Sequence, residues 1–165
     1  MFFIQTLNNA HCKEIIDLVI SIQQEELHLP VTLEGQPDLF DIETCYIQTG
    51  GNFWGAFING QLIGTIGLLQ ASEQTGVIRK MFVRKAFRGS GYGIAQALLN
   101  TLISYCRAKG LQTLYLGTID VLKAAHRFYE KSGFTRVDVT ELPSCFPRMM
   151  ADNTFYYLAL KTDQA

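Results

Sequence analysis

Three glycines at alternate positions, Gly89, Gly91 and Gly93, stand between Arg88 and Ile94. Without a Cβ, glycine lets the backbone come close to a bound group. From Ile94 the apolar residues Leu98, Leu102 and Tyr105 recur with Thr101 at helical spacing until Gly110, so the loop feeds directly into a helix start. The first-turn N–H groups of a helix have no partner within it, and the dipole is positive at that end. Such a loop suits a phosphate, and Arg88 can add a charge-assisted hydrogen bond. Five of the 14 Lys and Arg residues, Arg79, Lys80, Arg84, Lys85 and Arg88, also fall within ten positions here. The competing readings are a tight turn for helix packing and a solvated strand edge. Two familiar phosphate loops do not fit. A Walker loop needs Gly-Lys-Ser/Thr, whereas Ile94 and Ala95 follow Gly93. A dinucleotide fingerprint begun at Gly89 needs Gly or Ala at the position held by Ile94.

Arg88-Gly89-Ser90-Gly91-Tyr92-Gly93, preceded by Met81-Phe82-Val83-Arg84, resembles the phosphate loop of the GNAT superfamily of N-acetyltransferases. The resemblance extends to Ala125-His126-Arg127-Phe128-Tyr129-Glu130-Lys131-Ser132-Gly133-Phe134, which is similar to that family's Ala-x-x-x-Tyr-x-x-x-Gly-Phe segment. It is specific only over residues 76–134. It implies that the backbone of Met81, Phe82 and Val83 hydrogen-bonds the pantetheine arm of acetyl-CoA as an added strand would. Arg88, Gly89, Ser90, Gly91, Tyr92, Gly93 and Ile94 would then cradle the pyrophosphate. In the family an Asn seven residues before the tyrosine often contacts pantetheine; here that position is Leu122, and Thr118 and Asp120 are the candidates to replace it.

Acetyl transfer to an amine needs a neutral nucleophile, a stabilised oxyanion and a proton for the departing thiolate. Tyr129 is the candidate acid, since a phenol's pKa of about 10 is near that of an alkyl thiol. By the same resemblance a backbone N–H within residues 81–83 meets the oxyanion, and a carboxylate closing the first helix, Glu26 ahead of Glu25, is the candidate base. His126, one helical turn before Tyr129, reads as structural. The acceptor is expected at the least family-like segments, residues 29–48 and 143–153, with Trp54, Phe146, Phe155 and Tyr156 as apolar walls. The acids Glu34, Asp38, Asp41 and Glu43 read singly as a solvated acidic loop and together would favour a cationic acceptor such as an amine or amino-acid derivative.

These residues need a scaffold, and the pattern supplies one. Residues 1–7 are extended, and Ile15, Ile16, Leu18, Val19 and Ile22 form an apolar helical face running to Glu26. Asn59-Gly60 between the apolar runs 52–58 and 61–69 marks a hairpin, because both turn positions favour positive φ. Strands follow at 76–84, 111–118, 134–139 and 154–160, with helices at 94–110 and 121–132. The expected class is α/β: a mixed, largely antiparallel central sheet flanked by helices, the acyl-CoA N-acyltransferase (GNAT) fold, in a single domain over residues 1–165.

The 165 residues carry 14 Lys and Arg against 15 Asp and Glu. That balance disfavours nucleic acid as a partner, since binding it draws on a strongly basic face. Cys12, Cys45, Cys106 and Cys145 form no CxxC pair and are not spaced with His11, His28 or His126 as metal ligands, so no metal is expected. No apolar run is long enough for a membrane span. With no leader of secretory type, the thiols read as reduced and the location as cytoplasmic. The function expected is an N-acetyltransferase moving acetyl from acetyl-CoA to a primary amine of a small molecule or peptide by direct attack. The alternative is a non-catalytic acyl-CoA sensor, and a homodimer is left open.

Overall fold

The computed structural model describes residues 1–89 and 91–160. Seven strands form one sheet in the order β1-β2-β3-β4-β5-β7-β6: β1 (Phe3–Thr6), β2 (Asn52–Ile58), β3 (Gln61–Gln70), β4 (Thr75–Val83), β5 (Thr113–Thr118), β6 (Thr135–Val137) and β7 (Thr154–Ala159). Every pairing is antiparallel except β4 with β5. All seven strands expected from the sequence form, although β6 ends at Val137 and the chain turns through a 3₁₀ segment, Val139–Glu141, capped by Asp138.

Alternation along the strands splits the core in two. Phe53, Phe57 and Leu62 face α1 (Cys12–Ile20) through Ile15, Leu18 and Val19, while Trp54, Ala56 and Ile66 face α2 (Ile94–Lys109) through Ile94, Leu98 and Leu102. A third helix, α3 (Lys123–Lys131), sends Tyr129 into this second cluster. Burying a Leu, Ile or Phe side chain contributes about 1.5–3 kcal/mol, so each face holds the sheet firmly. Asn59 (φ 50°) and Gly60 (φ 79°) make the β2–β3 turn with both residues left-handed, as the Asn-Gly pair requires.

Gly51 illustrates how closely the sheet packs. A Cβ there would stand 1.8 Å from the Leu68 carbonyl oxygen, a backbone atom that cannot turn aside. Gly51→Ala is therefore expected to destabilise the fold by about 3 kcal/mol, read from the urea midpoint; an unchanged midpoint would mean that β2 and β3 are less closely apposed at this end.

Two departures from regular geometry shape the site. Beyond Ile20 the first helix widens into a π-type turn, Ser21–Glu26, with Leu27 N–H donating five residues back to Ile22. This rotates Gln23 inward. In β4 a bulge opposite Ile66 leaves Lys80 at φ 52°, stabilised by Thr65 Oγ1 donating to the Lys80 carbonyl at 2.7 Å.

Candidate active site

β4 and β5 pair only from Thr75↔Thr113 to Ile78↔Leu116. β5 pairs with β7 along its whole length, from Thr113↔Ala159 to Thr118↔Thr154, while residues 79–83 of β4 have lost β5 and keep β3 as their strand neighbour. The strands splay, and the free edge of Met81, Phe82 and Val83 faces a cavity of about 1490 Å³. A backbone edge with unpaired N–H and C=O groups can bind an extended polar chain as an added strand.

The glycine loop lies at one end of this cavity. Gly89 (φ 107°) and Gly93 (φ 68°) are left-handed, so the turn requires glycine at both. Gly93 is the N-cap of α2 and offers no capping side chain, which leaves the first-turn N–H groups to an outside acceptor. A Cβ added at Gly89, Gly91 or Gly93 would meet no protein atom within 4 Å, so the space above the loop is open. Ile94 is buried beneath it, Tyr92 is exposed and packs edge-on against Phe87, and Ser90 lies outside the described residues. A diphosphate with a long flexible arm fits this arrangement, the charged end at the loop and the arm along β4.

Arg88 is anchored by Nε donating to the Val83 carbonyl at 2.7 Å, and its two terminal nitrogens grip the Glu26 carboxylate at 2.5 and 2.8 Å. Glu26, the expected base, thus sits at the phosphate end and does not line the cavity, because a planar guanidinium pairs with a carboxylate in a two-point fork. An incoming phosphate would compete with it. Such half-exposed pairs are worth up to about 1 kcal/mol, so Glu26→Gln should lower the acetyl-CoA KM by roughly fivefold with kcat retained. A fall in kcat at unchanged KM would return Glu26 to the role of base.

At the other end, Tyr129 reaches the splay from α3 with its hydroxyl 3.5 Å from Met81 Sδ. The rings of Phe128, Phe134 and Tyr156 enclose it, and burial, with the charge of Asp152 behind it, pushes its pKa far above the usual phenol value. The group therefore stays protonated. His126 is fixed by its Nε2 against the Ile119 carbonyl at 3.0 Å and by Tyr156, a structural position as expected. Leu122 and Thr118 line the cavity, whereas Asp120 is exposed outside it, so Thr118 is the better placed to replace the missing Asn.

The far wall comes from both segments expected to meet the acceptor, with side chains that differ from those expected. Phe146 lines the cavity, but Trp54 is buried against Tyr105, Phe155 packs behind Phe146, and Tyr156 donates to Glu130. The acids are consumed elsewhere. Asp38 accepts from Tyr46 and lies 3.8 Å from Lys80, Asp41 and Glu43 bind Asn9, and Glu34 is exposed. The charged residues lining the cavity are instead Arg79, Lys80, Arg88, Lys123, Arg148 and one carboxylate, Asp152. Arg79 donates to the Pro147 carbonyl, tying the 143–153 loop over β4, and Lys80 donates to Gln36, which pairs reciprocally with Gln23 at 2.8 and 3.0 Å. Burial lowers the Lys80 pKa. Nothing in the local sequence around Lys80 or Asp152 distinguishes them; only the β4 bulge and the fold of the 143–153 loop bring them together.

No group of three or more His, Cys, Asp or Glu side chains among the described residues could hold a metal. The four thiols are free, and burial pushes the Cys106 thiol up to about 12. No helix among the described residues is long and apolar enough to cross a membrane.

Comparison with known proteins agrees with this geometry. An acetyltransferase of the GNAT family from Staphylococcus aureus Mu50 superposes with a TM-score of 0.94 at 37% identity, covering 98% of this chain and 100% of that one. The PaiA N-acetyltransferase from Thermoplasma acidophilum, solved in complex with coenzyme A, shares the fold (TM-score 0.74, 15% identity, 96% and 99% covered). The N-acetylaspartate synthetase of Danio rerio is 39% identical over 106 residues, 63% of this chain and 37% of its own length. The chain spans between 34% and 55% of the length of the curated relatives it matches. The model of the Acetyltransferase (GNAT) family matches residues 16–134, well over half of the sequence, and the chain belongs to that family.

Proposed function

We propose that the chain is one catalytic domain that moves the acetyl group of acetyl-CoA to the primary amine of a small acceptor by direct attack. The observation that carries this reading is the splay of β4 from β5. It sets a free backbone edge between a glycine-rich helix start and a buried, protonated tyrosine. Acetyl-CoA, when bound, supplies the activated thioester. The chain's own part is to hold the pyrophosphate with Arg88 and the N–H groups of the loop and helix start, and to fix the arm on Met81, Phe82 and Val83. A backbone N–H of the same strand meets the developing oxyanion, and Tyr129 gives its proton to the departing sulfur.

For the acceptor we infer an amine that also carries an anionic group. Arg79, Lys80 and Arg148 face the acceptor end of the cavity, where the acids expected from the sequence are absent. The name of the Danio rerio relative, an N-acetylaspartate synthetase, is in keeping with such an acceptor. Free-thiol release from acetyl-CoA, measured with L-aspartate, L-glutamate, putrescine and n-butylamine, tests both parts. The carboxylate-bearing amines should turn over at least tenfold better. Equal turnover of putrescine would remove the anionic-acceptor reading, and release with none of the four would count against catalysis.

A further inference from the structure

Resting on the reading just given, we infer that Asp152 is the base that accepts a proton from the acceptor's ammonium group, in place of Glu26. Four observations place it for that work. Asp152 lines the cavity at the splay. It lies against Gly117 of β5, where a Cβ would stand 2.5 Å from its Oδ2, so the glycine makes room for the carboxylate. It is near enough to Tyr129 for its charge to raise the phenol's pKa. Its backbone is held by Asp152 N–H donating to Met149 and by Arg148 donating to its carbonyl, whereas its carboxylate has a backbone N–H, that of Met149, and no side-chain donor beside it among the described residues. A half-buried carboxylate with no side-chain donor, facing a cavity beside a candidate acid, is arranged to meet a ligand.

The charged and titratable groups facing Asp152 are Arg79 and Lys80 from β4, Arg148 from its own loop and Tyr129 from α3; β5 contributes only Gly117. Burial raises the Asp152 pKa against the opposing pull of the three cations, which brings the carboxylate closer in basicity to the amine it serves. The protons balance as follows. The ammonium loses one proton to Asp152, and the amine's lone pair forms the C–N bond to the acetyl carbon. The C–S bond breaks, and sulfur leaves with the Tyr129 proton. The second proton on the new nitrogen restores the phenol, and Asp152 passes its proton to solvent. The products are an amide, a thiol and one released proton.

The test is the pH dependence of acceptor kcat/KM, with L-aspartate and L-glutamate as probes, for the wild type, Asp152→Asn, Asp152→Glu and Gly117→Ala. In the wild type kcat/KM should rise as Asp152 ionises and then level off. Asp152→Asn should lie about 100-fold lower at neutral pH and climb steadily towards the amine's own pKa, narrowing the gap. Asp152→Glu should restore a plateau in part, and Gly117→Ala, which displaces the carboxylate without removing it, should fall between. Acetyl-CoA binding, followed by calorimetry, should be unchanged in all four. A plateau kept by Asp152→Asn at the wild-type rate overturns the assignment while leaving the transferase reading intact. A loss confined to acetyl-CoA affinity makes Asp152 structural and overturns it too. Failure of the wild type to release thiol overturns the transferase reading and this assignment with it.

Discussion

Replacing Tyr129 with phenylalanine is expected to lower kcat about 100-fold while the acetyl-CoA KM stays within twofold of wild type. The side chain keeps its ring, and so its packing against Phe128, Phe134 and Tyr156, and loses only the hydroxyl beside Met81 Sδ. The fold should therefore survive, since the lost contact is to a weakly accepting thioether. The effect falls on the step in which sulfur takes up negative charge. A buried phenol with a raised pKa is a poorer acid in the free protein, but a thiolate forming beside it in a water-poor site offsets that disadvantage. Measured across pH, the defect should be smallest with thioesters of acidic thiols, which leave without help. Wild-type kcat in Tyr129→Phe would remove the residue from the chemistry and leave it a packing role.

Gly91→Val should raise the acetyl-CoA KM between tenfold and 100-fold with little change in melting temperature. Gly91 is suited to testing ligand approach, because a Cβ there meets no protein atom within 4 Å. The added methyls would fill only the space in which the pyrophosphate sits. Losing one or two hydrogen bonds to a charged group costs about 1.5–3 kcal/mol, which corresponds to the KM change expected. Gly93→Val, by contrast, should also lower the melting temperature, because a β-branched residue is strained at φ 68°. A Gly91→Val protein with wild-type KM would show that the phosphates lie elsewhere.

Much of this was legible in the sequence. Asn59-Gly60 fixed the hairpin, and strict alternation from Phe53 to Phe57 separated the two core faces. The alternate glycines before Ile94 marked the loop because backbone conformation there is a local property. What escaped depends on residues far apart in the chain. Arg88 and Glu26 are 62 positions apart, and their ion pair holds Glu26 outside the cavity lining. Asp152 lies in a loop with no periodicity, which is held over β4 by Arg79 donating to Pro147 and against the end of β5 by Asn153 donating to Thr118. Lys80 was visible as a charge, but the bulge that buries it is set by Thr65 and the β3 register. The partners of the acids in residues 34–43 were hidden for the same reason: Asp38, Asp41 and Glu43 pair with Tyr46, Lys80 and Asn9, which composition does not reveal.

The claim on which the rest depends is that acetyl-CoA runs along the free edge of β4 from the Arg88–Ile94 loop towards Tyr129. A crystal structure of the chain with coenzyme A tests it most directly. The pyrophosphate should accept hydrogen bonds from the backbone at Gly91, Gly93 and the first turn of α2, with Arg88 turned from Glu26 to a phosphate. The pantetheine should pair with residues 81–83, and the thiol should end within reach of the Tyr129 hydroxyl. Coenzyme A bound elsewhere, or β4 and β5 closed together past Ile78 with the cofactor excluded, would contradict the account.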